Sequence, residues 1–334
     1  FTLNNIGFVY QLLADYKKAR EFFEQALQLS RTVGDRLDEA YALLGIGVVY
    51  SSVGENQKAL EPLHQALSLF RTAGFRFGEA YTLTSIGKAS DSLGEKQKAL
   101  NFFNQALVLS REAEEGDVEG YTLPHLMSLW KSLNRPGLAI FYGKQAINAY
   151  QRIRSNIREL DEGLRKSFLT SKEDTYRQLA DLLISEGRLP EAQQVLGLLK
   201  EEEYFQFVRR DQDAASLTGV RLSFTPAEAD LEKRFREIAN QLAAIGAQRE
   251  ALLAIKDRTT EQEKRLSELE AQLEIANQAF QKFLDQLEAE LKQMLRGKDD
   301  VGVLRESQAL KETLRELDAI ALYTIVGQDK FNII

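Results

Sequence analysis

The sequence predicts an all-α protein: a superhelical stack of helix pairs, then a long antiparallel helical hairpin, with a short terminal β-hairpin. Three observations lead there. Small and apolar residues recur every 40 positions through the first part of the chain. Two heptad-patterned stretches follow between residues 226 and 296. The last residues, "ALYTIVGQDKFNII", are β-branched and aromatic around a polar break. Five prolines among 334 residues and 28% charged residues fit long solvated helices.

The repeat comes first. "GFVYQLLADYKKAREFFEQALQLS" from Gly7, "GVVYSSVGENQKALEPLHQALSLF" from Gly47 and "GKASDSLGEKQKALNFFNQALVLS" from Gly87 align without gaps. Small residues recur at Gly7/Ala19/Ala26, Gly47/Ala59/Ala66 and Gly87/Ala99/Ala106. Intervals of 12 and 7 do not make one helical stripe. They fit two helices in close contact, with small residues where the axes cross. Between the two helices, Ala14, Gly54, Gly94, Asn134 and Gly187 share one repeat position. A left-handed helix end there favours Gly, then Asn, and costs Ala14 steric energy.

A fourth unit keeps Leu123, Leu126, Trp130, Ala139 and Ala146 but has Met127 in place of the glycine. A fifth keeps Tyr176, Leu179, Ala180, Leu183, Ala192 and Leu196, with Leu199 at the last small position. From Met127 to Ala180 the step is 53 rather than 40, which predicts lengthened helices around residues 150–175. These units make a first domain over residues 1–210.

This pattern resembles the tetratricopeptide repeat, whose usual length is about 34 residues. Such units stack to share a core and shape a curved groove. In that family the first helix of each unit lines the concave face. The resemblance therefore implies a peptide-binding groove of Asn4, Phe8, Gln11, Leu44, Val48, Ser51, Thr84, Lys88, Asp91, Ser128 and Lys131. Tyr41, Tyr81 and Tyr121 fall 40 apart, in register with Phe1, as an aromatic ladder on the same helices. Two readings of the ladder stand: packing between repeats, or hydroxyl tips that grip a peptide, since tyrosine joins an apolar ring to a polar end. The basic clamp that holds carboxyl-terminal peptides in some members has candidates only in Lys88, Lys131, Asn4 and Asn5. A chaperone-tail adaptor is not expected.

Residues 211–225 read as a linker. "TPAE" at 225–228 then marks a helix start, with Thr225 as cap, Pro226 at the first helical position and Glu228 three residues beyond the cap. Leu231, Phe235, Ile238, Leu242, Ile245 and Leu252 follow at heptad spacing, breached by Arg249. A second start, "TEQE" at 260–263, leads into Leu266, Leu269, Leu273, Ala276, Phe280, Phe283, Leu287, Leu291 and Met294. The polar "KDRTT" between them favours an antiparallel hairpin over 226–296, each arm roughly 45 to 55 Å long. Parallel pairing of two chains is the competing arrangement.

Residues 297–334 carry a shorter helix, "VLRESQALKETLREL", and two apolar runs flanking Gly327–Lys330, a hairpin signal. An isolated hairpin is barely stable in water, so it should open a larger sheet or lie against the helices. The order of features resembles the amino-terminal part of bacterial proteins, frequent in filamentous cyanobacteria, that join tetratricopeptide repeats to a CHAT domain, a caspase-like peptidase module. The shared features are decaying repeats, "LLKEEEYFQFVRRD", "TPAEADLEKRF", a heptad hairpin and "LYTIVGQDKFNII". The resemblance implies that the sequence stops where that module begins, before its catalytic histidine and cysteine. Phe1 lies inside a helical pattern, so the amino end reads as cut too.

The chain has no cysteine, which excludes disulfides, thiolate metal sites and a cysteine nucleophile from these residues. A net charge of −7 argues against general nucleic-acid binding. No apolar run spans a bilayer, and the first residues lack a secretory signal. No phosphate loop, metal-spaced carboxylates or G-x-S-x-G elbow occurs. His64 and His125, two repeats apart, read as packing or surface residues, and Glu201–Glu203 as a solvated face or a partner for Arg209 and Arg210. The expectation is therefore a cytoplasmic protein–protein interaction scaffold, not itself catalytic, with no metal or cofactor. Its partners would be a protein or peptide in the groove and its own CHAT domain, with no nucleic acid and no membrane. The alternative is a purely structural scaffold that oligomerises through the coiled coil.

Overall fold

The computed structural model describes residues 2–112, 116–157, 167–168, 170–208, 221–253, 255, 257–298, 324–326 and 331–333. Helices α1 (Thr2–Leu12), α2 (Tyr16–Val33), α3 (Arg36–Ser52), α4 (Asn56–Thr72), α5 (Arg76–Ser92), α6 (Lys96–Glu112) and α7 (Gly116–Ser132) follow one another along the chain. They continue as α8 (Pro136–Asn156), α9 (Glu173–Ser185), α10 (Leu189–Val208), α11 (Pro226–Leu253) and α12 (Thr260–Lys298). By its contacts the chain divides into two compact units, Phe1–Leu129 with Arg234–Gln281, and Trp130–Lys233 with Lys282–Ile334.

In the first unit α1 packs on α2, α3 on α4 and α5 on α6, and each pair packs on the next through α2 with α3 and α4 with α5. The repeated small residues mark the crossings. A β-carbon added at Gly7 would sit 2.6 Å from the Phe23 ring, one at Gly47 2.5 Å from Leu63 Cγ, and one at Gly87 2.7 Å from the Phe103 ring. Opposite them Ala19, Phe23, Ala59, Leu63, Ala66, Phe70, Ala99, Phe103 and Ala106 are buried. The glycine of one helix accepts the large side chain of the other, which is why the two must alternate.

The turns inside the repeats take the expected left-handed form. Gly54 and Gly94 have φ of 82°, Gly187 75°, and Asn134 and Ala14 both 57°. Each closes its helix with a wide backbone bond, such as Glu55 N to Tyr50 O at 2.9 Å and Asp15 N to Tyr10 O at 2.9 Å. The chain restarts at Asp15, whose carboxylate accepts from Lys18 N at 3.2 Å. Asp35 does the same for α3, accepting from Leu37 N at 3.1 Å and Asp38 N at 3.0 Å.

The junctions between repeats carry a periodic ion pair. Arg31 meets Glu39 at 2.8 Å, Arg71 meets Glu79 at 2.7 Å and Arg111 meets Glu119 at 3.0 Å. Each joins the end of one unit's second helix to the start of the next unit's first helix. Its period was visible in the sequence and escaped the reading above.

Also in the first unit, Leu266 and Leu269 of α12 are buried at 7% and 1% exposure. Arg249 of α11 reaches Glu270 of α12 at 3.4 Å, and Arg265 donates to Gln248 at 3.1 Å. Gly246 of α11 is buried. A β-carbon there would lie 3.0 Å from the Gln105 amide on α6. The start of α12 differs by one residue from expectation. The reciprocal cap is Thr259 with Gln262, at 3.2 and 2.9 Å, rather than "TEQE" at 260–263.

In the second unit α9 pairs with α10 and α8 packs on α9. At 21 residues α8 is longer than the 17 of α4 or α6, in line with the widened repeat step. It is buried over nearly its whole length. Tyr176, Leu179, Ala180, Leu183 and Ala192 lie in the core at 0–1% exposure. Gln151 donates to the Tyr176 hydroxyl at 3.1 Å, and Tyr150 pairs with Thr175 at 3.4 Å. Burial, only partly offset by that Thr175 bond, pushes the Tyr150 hydroxyl up to about 12. Strands β1 (Thr324–Val326) and β2 (Phe331–Ile333) pair antiparallel, with Ile325 opposite Asn332.

Several expectations lie outside the described residues. These are Phe1, residues 158–166, Arg209 and Arg210, the helix over 303–317, and the Gly327–Lys330 turn. The side chains of Glu201–Glu203, Leu231, Phe235, Ile238, Leu242, Leu273, Phe280, Leu287, Leu291 and Met294 lie outside them too.

Candidate functional site

The inner-face residues divide by burial. Asn4 is 1% exposed, and its amide donates to the Asp38 backbone oxygen at 3.0 Å and carboxylate at 3.1 Å, tying α1 to α3. Leu44 and Val48 belong to the apolar core at 3% and 7% exposure. Thr84 is fully buried, its hydroxyl paired with Thr122 at 2.7 Å. These four leave the groove-lining set. Neighbouring first helices approach so closely that their facing positions touch one another and present no surface to a ligand.

Phe8, Gln11, Tyr41, Ser51, Tyr81, Lys88, Asp91 and Tyr121 are half-buried, while Ser128 and Lys131 are exposed. Phe8 packs edge-on against Phe23 at 5.0 Å. Asp91 is held by Lys96 at 2.5 Å. Gln11, Ser51, Asp91 and Lys131 occupy one register position in four successive units. All four are polar, and they carry a neutral, neutral, negative and positive side chain in that order.

The tyrosines form a packed column. Tyr81 and Tyr121 stack at 4.6 Å with their rings 4° from parallel. Phe77 stacks on Tyr81 at 6.4 Å, Phe75 meets Phe77 at 6.1 Å, and Tyr41 meets Phe75 edge-on at 5.9 Å. His125 continues the column, edge-on to Tyr121 at 5.3 Å and stacked on Phe103 at 5.8 Å. Burial pushes the hydroxyls of Tyr41, Tyr81 and Tyr121 up from their ordinary value. For Tyr121 the charge and hydrogen bond of Tyr81 add to the rise. Half-buried and packed ring on ring, these side chains join successive repeats. His64 lies away from this column, 6.1 Å from the Phe102 ring.

The second unit holds a polar cluster that the sequence reading missed. Lys144 on α8 is 1% exposed. Its ammonium donates to the Ser223 backbone oxygen at 3.0 Å and to Glu228 Oε2 at 2.8 Å, and pairs with Glu191. All three ammonium hydrogens therefore have acceptors. Arg188 grips Glu191 through two bonds of 2.7 Å and reaches Glu228 Oε1 at 2.8 Å. Burial would raise Glu191, but hydrogen bonds and charge from Arg188 and Lys144 outweigh it and hold the carboxyl below its ordinary value.

One helical turn along α8, Asn148 grips the chain itself. Its amide donates to Leu222 O at 3.0 Å and its carbonyl accepts from Leu222 N at 2.7 Å. Phe141 meets Phe224 at 5.7 Å. Thr225 and Glu228 form the reciprocal cap expected from "TPAE", at 2.8 and 3.2 Å. The signal available in the sequence was Lys144 and Asn148, four residues apart inside the apolar "AIFYGKQAINAY".

Residues 1–72 match the tetratricopeptide-repeat family model. The matched stretch covers α1 to α4, the first two helix pairs. Among solved structures, the chain is similar to a Podosopora anserina protein described as kinesin light chain nearly identical TPR-like repeats. The likeness has a TM-score of 0.41 at 14% identity, over 63% of this chain and 96% of that one. No curated protein matches the sequence.

Proposed function

We propose that the chain is a protein–protein interaction scaffold, not itself catalytic, whose partner surface is the polar register of its first helices. The observation that carries this reading is the forty-residue stack of the first unit, in which Gln11, Ser51 and Asp91 repeat at one position. Tetratricopeptide repeats generally mediate protein–protein contact, and stacked helix pairs present such side chains at a fixed spacing. A partner with polar and charged groups would be selected more by their arrangement than by apolar area. Lys88 lies one turn from Asp91 on α5.

The two long helices form a within-chain antiparallel arm in this proposal. The Arg249–Glu270 and Arg265–Gln248 contacts support it. The resemblance to tetratricopeptide–CHAT proteins adds that the scaffold serves a caspase-like module, a role supported by the order of sequence features alone. A cytoplasmic setting belongs to the same reading.

A photo-crosslinking residue placed singly at Ser51, Lys88 or the exposed Gln25 tests the surface in host cells. Adducts to a shared partner are expected from Ser51 and Lys88 and not from Gln25. Equal yields from all three positions would remove the inner face from the proposal.

A further inference from the structure

The segment 222–228 lies on α8 as a ligand lies in a receptor. Asn148 pairs with both backbone groups of Leu222, as one peptide strand pairs with another, and so recognises an extended chain whatever its side chains. Lys144 takes the next carbonyl, that of Ser223. Leu222 is buried at 3% exposure, and Phe224 contacts Phe141. Lys144 and Arg188 then divide the two oxygens of one carboxylate, Glu228. Backbone capture, an apolar pair and a two-cation carboxylate seat form a complete recognition set for a short peptide.

The occupant is an irregular segment over residues 221–225, joined to the first turn of α11. It carries no regular backbone bonding of its own at Leu222, whose two groups go to Asn148. Its hold on α8 is that of a tethered ligand, present at an effective concentration in the millimolar range. A free peptide must exceed that figure to displace it.

We propose that Lys144, Asn148 and Arg188 form a peptide-binding site for an extended segment of the pattern Leu-x-Phe-Thr-x-x-Glu, which the chain occupies with its own residues 222–228. The ligand is a peptide with an apolar residue, an aromatic residue two positions later, and a carboxylate four beyond that. Access is governed by release of the internal occupant. The site uses none of the inner-face residues, so it stands or falls apart from the scaffold reading.

A fluorescent peptide of sequence RLSFTPAEAD, residues 221–230, is the probe. The strap variant Phe224→Ser/Glu228→Gln weakens the internal occupant, and glutamine preserves the helix cap. Anisotropy should show the peptide binding this variant at least tenfold more tightly than the unaltered chain. Adding Asn148→Ala should abolish that binding, and a probe with Gln in place of its Glu should bind at least tenfold more weakly. A strap variant with native helicity that binds no peptide, or binds it equally well with Asn148→Ala, overturns the proposal. If the strap variant does not fold, Ser223→Cys supplies one labelling position in a chain without other cysteines. Unlabelled peptide at about tenfold that effective concentration should then change the emission of the dye on the strap. No change overturns the proposal.

Discussion

The two units add different contacts to their apolar cores. In the first, the contacts are apolar and periodic: a glycine on one helix receives a phenylalanine or leucine from the next, and stacked rings bridge successive pairs. In the second, Leu199 stands where a small residue should be, the unit step widens, and α8 carries buried Lys144, Asn148, Gln151 and Arg154. There hydrogen bonds and ion pairs are added to the apolar core, and around Lys144 they satisfy the whole ammonium group. A steric fit tolerates a gradual loss of complementarity, whereas a closed polar network fails at the first missing member.

The largest test of this contrast is Glu228→Ala. It removes a carboxylate shared by two buried cations, and breaking such a set costs about 3 to 5 kcal/mol. Hydrogen exchange should quicken over 136–156 and 221–230 while 36–92 keeps its protection. Uniform quickening would erase the distinction between the units. Next comes Gly47→Leu, where the β-carbon alone lies 2.5 Å from Leu63 Cγ. Overpacking of that kind costs about 3 kcal/mol. Exchange should then quicken in α3 and α4 and spare α8 and α9.

Asn148→Ala is milder, leaving both backbone groups of Leu222 without their partner at a cost of about 2 kcal/mol. Asn148→Asp should recover only the half that accepts from Leu222 N. Acid provides a graded version of the same experiment. Glu191 titrates below its ordinary 4.5 in the folded chain, so the stability it contributes is complete above that pH. It is lost as the pH falls through the lower folded value. Acid should therefore release the 221–228 segment before it loosens α1 to α6, which a dye at Ser223→Cys would follow.

The smallest effect is a gain. Ala14 holds a left-handed turn that glycine takes at the matching Gly54. Ala14→Gly should raise stability by about 1 kcal/mol, read as a higher midpoint in urea.

This difference also governs what could be read in advance. The first unit was legible because its rules are local and repeat. Gly7, Gly47 and Gly87 announced the crossings, and Ala14, Gly54 and Gly94 announced the turns. Burial was less legible. The family's concave-face rule placed Leu44, Val48 and Thr84 in a groove, but side chains as short as these reach only the neighbouring helix when repeats pack this closely. Tyr41, Tyr81 and Tyr121 were legible as a ladder. That Phe75 and Phe77 complete it depends on the turn between repeats, which no spacing rule describes. The α8 site was hidden for another reason. Lys144 and Glu228 lie 84 residues apart, and buried charge has no period. The reciprocal cap at Thr225 and Glu228 was visible, but the same carboxylate's second duty toward Lys144 and Arg188 was not.

The Arg31–Glu39, Arg71–Glu79 and Arg111–Glu119 pairs carry one more consequence. Two successive forty-residue units, one with Glu39 and Arg71 and the next with Glu79 and Arg111, each contribute the glutamate for the junction behind and the arginine for the junction ahead. Copying or deleting a whole unit therefore leaves each new seam with one cation and one anion, while a cut of any other length orphans a charge. The chain can grow or shrink by gene duplication in whole modules, and its seams need no new mutation to match.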